Sequence, residues 1–148
     1  MCLVDPVYYK SNTPHPLMAD FLESPQATLD FVLGMGDDGV ITYNIDSSMK
    51  NKRFVDKTMA KLGNLIDDVD FVKVDGDAEI DFYAVTGFDA PFDGATALAY
   101  YEYDENSNPT VDLQFDFDSI VDYLPDANKK TKKNARKYTI LHEIGHAM

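Results

Sequence analysis

Polar and apolar positions alternate most clearly between Val111 and Asp118, where Val111, Leu113, Phe115 and Phe117 are separated by Asp112, Gln114, Asp116 and Asp118. Successive side chains of a strand point to opposite faces, so this run predicts a half-buried strand with an acidic outer edge. Val40–Ile45 is rich in β-branched and aromatic residues and places Ile41, Tyr43 and Ile45 on one face, which predicts another strand. Phe71–Val74, Ile80–Val85 and Ala97–Tyr103 are expected as further strands, with 86–94 as a loop carrying Gly87, Pro91 and Gly94. Between the first two strands the period changes. Val55, Met59, Leu62, Ile66 and Val69 recur at spacings of four and three, which predicts an amphipathic helix from about 49 to 68. Asp46-Ser47-Ser48 offers its N-cap, and Lys50, Lys57, Lys61 and Asn64 lie on the wet side.

Residues 1–27 carry Pro6, Pro14, Pro16 and Pro25 among polar residues and read as an extended arm. Thr28–Gly34 reads as a short helix ended by glycine, so one domain is expected over 28–148. Past Leu124-Pro125-Asp126 a final helix should begin near Asn128, with Tyr138, Leu141, Gly145 and Met148 on its packed stripe. His142 and His146 then project from an adjacent face. A strand, a long helix and then more strands predict an α/β (α+β) fold: a twisted mixed sheet of about five strands, a long backing helix and a C-terminal helix.

The composition, 45% apolar and 12% aromatic in 148 residues, suits one folded domain despite a net charge of −13. With 26 acidic against 13 basic residues, a nucleic-acid backbone would be repelled, and cations are the better partners. The basic cluster Lys129-Lys130, Lys132-Lys133 and Arg136-Lys137 is expected to be the solvated first turns of the final helix. Cys2, the one cysteine, excludes an intramolecular disulfide framework. No apolar run is long enough to span a membrane, and the first residues lack the pattern of a cleavable signal peptide.

The chemistry concentrates in Leu141-His142-Glu143-Ile144-Gly145-His146-Ala147-Met148, which contains His-Glu-x-x-His. Residues four apart share one face of a helix, so the imidazoles of His142 and His146 can grip one metal ion. Such an ion lowers the pKa of a bound water from about 15.7 to roughly 7. Glu143, badly angled to be a ligand itself, is placed to take that water's proton and pass it to the leaving amine. Gly145 is expected to allow neighbouring backbone to approach the helix closely. Catalytic zinc generally takes three protein ligands plus water, and this motif supplies two. His15, between Pro14 and Pro16, is either an exposed loop residue or a ligand supplied from a distance.

From Thr28 to Met148 the succession of strand, long helix, two strands, loop, strand, acidic strand and His-Glu-x-x-His helix resembles the upper half of a metzincin zinc peptidase domain. Leu29–Gly34 with Ile41-Thr42-Tyr43, and His142–Ala147, are similar to the serralysin branch. Pro91-Phe92-Asp93-Gly94 with Leu98-Ala99 is similar to the matrixin branch. The resemblance implies a secreted zinc metalloendopeptidase acting on peptide or protein substrates, with His142 and His146 on zinc and Glu143 catalytic. It implies that Ala97, Leu98, Ala99 and Tyr100 bind an extended peptide by strand addition, and that Asp93 and Asp116 hold calcium. Phe88, Tyr100 and Gln114 stand where the family has structural-zinc histidines, and Ser119 where an acidic calcium ligand is often seen, so no second zinc is expected.

The family continues past this helix to a glycine turn, a third histidine and a methionine-containing turn, all beyond Met148. The resemblance therefore implies a domain truncated after its zinc-binding helix, with weak zinc binding and little peptidase activity of its own. A complete small protein, whose third ligand is water, His15 or a residue of another copy, is the alternative on that point. In function, the alternative is a degenerate peptidase-like module that binds metal or peptide without turnover.

Overall fold

The computed structural model describes residues 38–147 apart from 105 and 107, so the expected arm over 1–27 and the short helix at 28–34 lie outside the described residues. Within them the chain runs β1 (Val40–Ile45), α1 (Lys52–Gly63), β2 (Asp70–Lys73), β3 (Ile80–Ala84), β4 (Ala97–Tyr103), β5 (Pro109–Phe115), α2 (Phe117–Asp122) and α3 (Lys129–Ala147). The five strands form one mixed sheet in the order β2-β1-β3-β5-β4. β1 pairs in parallel with β2 and β3, and β3 with β5; β4 is antiparallel to β5 and ends the order. The α/β architecture expected from the alternation is the one observed.

The alternation has a direct physical outcome. Ile41, Tyr43, Ile45, Ile80, Phe82, Val111, Leu113 and Phe115 form one buried face of the sheet. Val55 and Met59 of α1 and Ile140, Ile144 and Ala147 of α3 join the same core. Each large side chain buried there contributes about 1.5–3 kcal/mol relative to exposure. The opposite face is polar and half-buried. Register sets Asn44 beside Asp81 and Asp81 beside Asp112, and Tyr83 donates to Asp112 (2.7 Å) while accepting from Gln114 (2.7 Å).

Four local expectations are corrected. The backing helix is shorter than 49–68: it begins at Lys52, after Asn51 in the left-handed region (φ 61°), and closes at Gly63. Asp46 does not cap it, because its carboxylate accepts from Ser48 N (2.7 Å) in a turn of its own. Ile66 and Val69 keep the helical period but lie on the descent into β2, where Asp68 adopts φ 69°. Second, the strand alternation stops at Phe115: Phe117 and Asp118 belong to α2, which Asp116 initiates by accepting from Asp118 N and Ser119 N. Phe117 still reaches the core by stacking on Phe115 (centroids 5.5 Å apart).

The third correction concerns α3. Its start is as read, with Asn128 Oδ1 accepting from Thr131 N (3.0 Å). Its packed stripe is Ile140, Glu143, Ile144 and Ala147, whereas Tyr138 is 73% and Leu141 51% exposed and Gly145 is also exposed. Two apolar stripes compete on this helix. The β-branched pair Ile140 and Ile144 takes the sheet, and one residue of shift turns a helix by about 100°. Fourth, no close approach surrounds Gly145: a Cβ built there meets nothing within 4 Å. Gly145→Ala is therefore expected to stabilise the protein by about 0.5–1 kcal/mol, the cost of glycine relative to alanine inside a helix, read as a small rise in unfolding midpoint.

Candidate metal centre

The C-terminal half of α3 is held from two sides. Ile140, Ile144 and Ala147 fix it to the sheet, and the Tyr101 hydroxyl of β4 donates to the carbonyl of His146 (2.7 Å). Nothing in the sequence pattern singled out Tyr101, which alternates like its neighbours; its role follows only from the way β4 meets the end of α3. The helix that carries the histidines is thus tied directly to the last strand of the sheet.

His142 and His146 come together as the four-residue spacing requires. Their Nε2 atoms are 2.9 Å apart and their rings lie edge-to-face, with centroids separated by 4.7 Å. His142 is exposed and His146 half-buried, so the pair opens outward. Two nitrogens bound tetrahedrally to zinc at about 2.0–2.1 Å stand roughly 3.3 Å apart, about 0.4 Å more than observed here. A small rotation of either ring supplies that difference, so the pair fits two positions of a zinc shell.

Glu143 is 0% exposed, the only Asp, Glu, Lys or Arg among the described residues to be fully buried. It shares the buried stripe of Ile140, Ile144 and Ala147 rather than the open face of His142. Among the described residues no group of three or more His, Cys, Asp or Glu is placed to hold a metal ion. His15 lies outside the described residues.

The residues expected to bind peptide are all in β4, with Ala97, Leu98 and Ala99 buried and Tyr100 half-buried. Of the calcium expectation the structure retains little. Asp93 is exposed in the loop between β3 and β4, while Asp116 is buried and its carboxylate is filled by protein donors. Oδ1 accepts from Asp118 N and Ser119 N, and Oδ2 from Gly87 N (3.0 Å) and Ser119 Oγ (2.6 Å). Burial alone would raise this carboxyl, but the hydrogen bonds from Ser119, Gly87 and Asp118 outweigh it and hold it below its ordinary value of 3.8. Asp116 as placed is a structural cap and does not fit a calcium ligand.

An acidic cleft of about 520 Å³ opens on the polar face of the sheet, lined among others by Asp46, Asp77, Asp81, Tyr83 and Asp112. Burial pushes the carboxyls of Asp81 and Asp112 above their ordinary value, against the pull of the hydrogen bonds from Asn44 and Tyr83. Burial and the neighbouring Asp112 likewise push the Tyr83 hydroxyl up.

No helix among the described residues is long and apolar enough to cross a membrane. The chain matches no protein-family model, and no curated protein matches it.

Proposed function

We propose that this chain carries the zinc-binding helix of a metalloendopeptidase. The observation that carries the proposal is the convergence of His142 and His146 Nε2 at 2.9 Å on an outward-facing helix end, with Glu143 between them in sequence. Zinc, when held by these residues, would supply Lewis acidity toward water and a peptide carbonyl. His142 and His146 bind as neutral imidazoles through Nε2. In this proposal Glu143 would take a proton from the attacking water and deliver it to the leaving amine, which requires its carboxylate to turn out of the buried stripe it occupies here.

Two further features support the same function. Glu143 directly follows His142 and is the one carboxylate in the helix that carries both histidines. β4, which ends the described sheet and is bonded through Tyr101 to the metal helix, is where an extended peptide would lie to bring its scissile bond near His142 and His146. In this proposal the element order expected from the metzincin resemblance has the same use: the sheet positions the peptide and α3 positions the metal.

The two-ligand set among the described residues favours a second function, metal binding without turnover. Zinc titration tests what both share. One zinc per chain is expected, and His142→Ala or His146→Ala should weaken it by more than about 100-fold. Loss of an outer-shell partner already costs about 10–100-fold, and a ligand is worth more. Unchanged zinc affinity in both variants would overturn both functions.

A further inference from the structure

Lys129, Lys130 and Lys133 of the basic cluster of α3 are exposed as expected, but the cluster also borders a cleft. Lys133 and Lys137 meet Lys52, Arg53 and Lys57 of α1 around an open cleft of about 390 Å³ that Asn51 and Phe54 also line. Five of the chain's 13 basic residues thus line one cleft in a protein of net charge −13. Lys52 is drawn to the carboxylate of Asp46, while Arg53, Lys57, Lys133 and Lys137 take no part in the ion pairs Lys50–Asp118 and Lys73–Asp56. The Nζ of Lys137 instead lies 5.2 Å from the centroid of the Phe54 ring. Like charges gathered without a counter-charge repel one another, and an anion between them removes that repulsion.

The helix geometry adds to the field. Asn51, Lys52, Arg53 and Phe54 are the N-cap and first turn of α1, where the helix dipole is positive; the Phe54 N–H already donates to Asn51 O (2.7 Å), which leaves the amides before it. No side chain caps this end. Asn51 Nδ2, on a residue that lines the cleft, is a buried atom with no hydrogen-bond partner among the described residues. Donors and charge are both present in excess of what the fold uses.

We propose that this cleft binds a small, soluble phosphorylated molecule. Ligand sites of small molecules occupy about 300–1,000 Å³, so the volume suits a compact ligand larger than a bare ion. Several cations and first-turn amides suit a group with two negative charges and several acceptor oxygens. The overall negative charge disfavours nucleic acid and anionic membrane surfaces, which would meet the whole acidic protein, whereas a small ligand meets only the cleft within a Debye length of about 8–10 Å. The cleft is separate from the zinc-binding face. The five residues from Lys137 to His142 turn the helix by a net of about 140°.

Calorimetric titration of the full chain with inorganic phosphate, at ionic strength held constant with chloride, tests this site. Saturable binding at one site is expected. Lys133→Ala with Lys137→Ala should weaken it by about tenfold or more, since a hydrogen bond to a charged group is lost with each. Lys133→Ala alone, which removes an exposed side chain, should show the same direction without disturbing the Phe54 contact. Lys61→Ala with Lys129→Ala, both exposed and outside the cleft, should leave affinity within about twofold. Absence of saturable binding, or equal weakening by the two double variants, would overturn the proposal.

Discussion

Glu143→Gln is expected to lower whatever peptide cleavage the protein supports by about 10²–10⁴-fold while leaving zinc stoichiometry unchanged. The two side chains are isosteric, and glutamine has no basic site for the water's proton. Because Glu143 is fully buried, an alanine variant would also open a void and confuse a folding defect with a chemical one; the amide keeps the volume filled. Unfolding by denaturant checks that the variant keeps its fold. The discriminating pattern is activity lost, zinc kept and fold kept. Cleavage at the unaltered rate in the variant would remove Glu143 from the chemistry and leave His142 and His146 as a metal site of another kind.

What could be read from the sequence followed the physics that acts locally. Strand alternation at Ile41, Tyr43 and Ile45 and at Val111, Leu113 and Phe115 reports burial of one face, which is why these strands are where the pattern placed them. The four-residue spacing of His142 and His146 is a property of any helix, so their convergence needed no tertiary knowledge. Asn128 as an N-cap belongs to the same class.

The features that were not legible depend on partners distant in sequence. Phe117 continues the alternation of β5, and only the capping of α2 by Asp116 shows that the chain has already turned. Tyr138 and Leu141 make as good an apolar stripe as Ile140 and Ile144, and the choice between them is made by the sheet. That choice also places Glu143 on the buried side. The Tyr101 hydroxyl reaches the carbonyl of His146 across 45 residues of chain, a contact that no periodicity encodes. The basic run of α3 looks like a solvated helix face until α1 is laid against it.

Asp116→Ala is expected to cost about 2–4 kcal/mol, a large share of the roughly 5–15 kcal/mol that holds a domain together. Loss of an N-cap accounts for about 0.5–2 kcal/mol of this, and an unsatisfied buried N–H at Gly87 for about 1–3 kcal/mol. Gly87 sits at φ 73° in the loop ahead of β4, so the same carboxylate fixes both the start of α2 and the path of that loop by hydrogen bonds alone. Asp116→Asn separates charge from shape. One amide oxygen can still accept from Asp118 N and Ser119 N, and Ser119 Oγ can rotate to accept from the new NH₂, but Gly87 N then faces a donor. An intermediate loss of about 1–3 kcal/mol is expected. The pH profile distinguishes the variants further. The folded-state carboxyl of Asp116 lies below its ordinary value of 3.8, so its stabilisation is fully present above that value and is lost as pH falls through the lower, folded-state one. Denaturant unfolding between neutral pH and the acid limb should therefore show the wild-type advantage over both variants shrinking below about pH 4. An advantage that stayed constant down to the lowest pH measured would mean that the carboxylate's charge does not contribute to the cap.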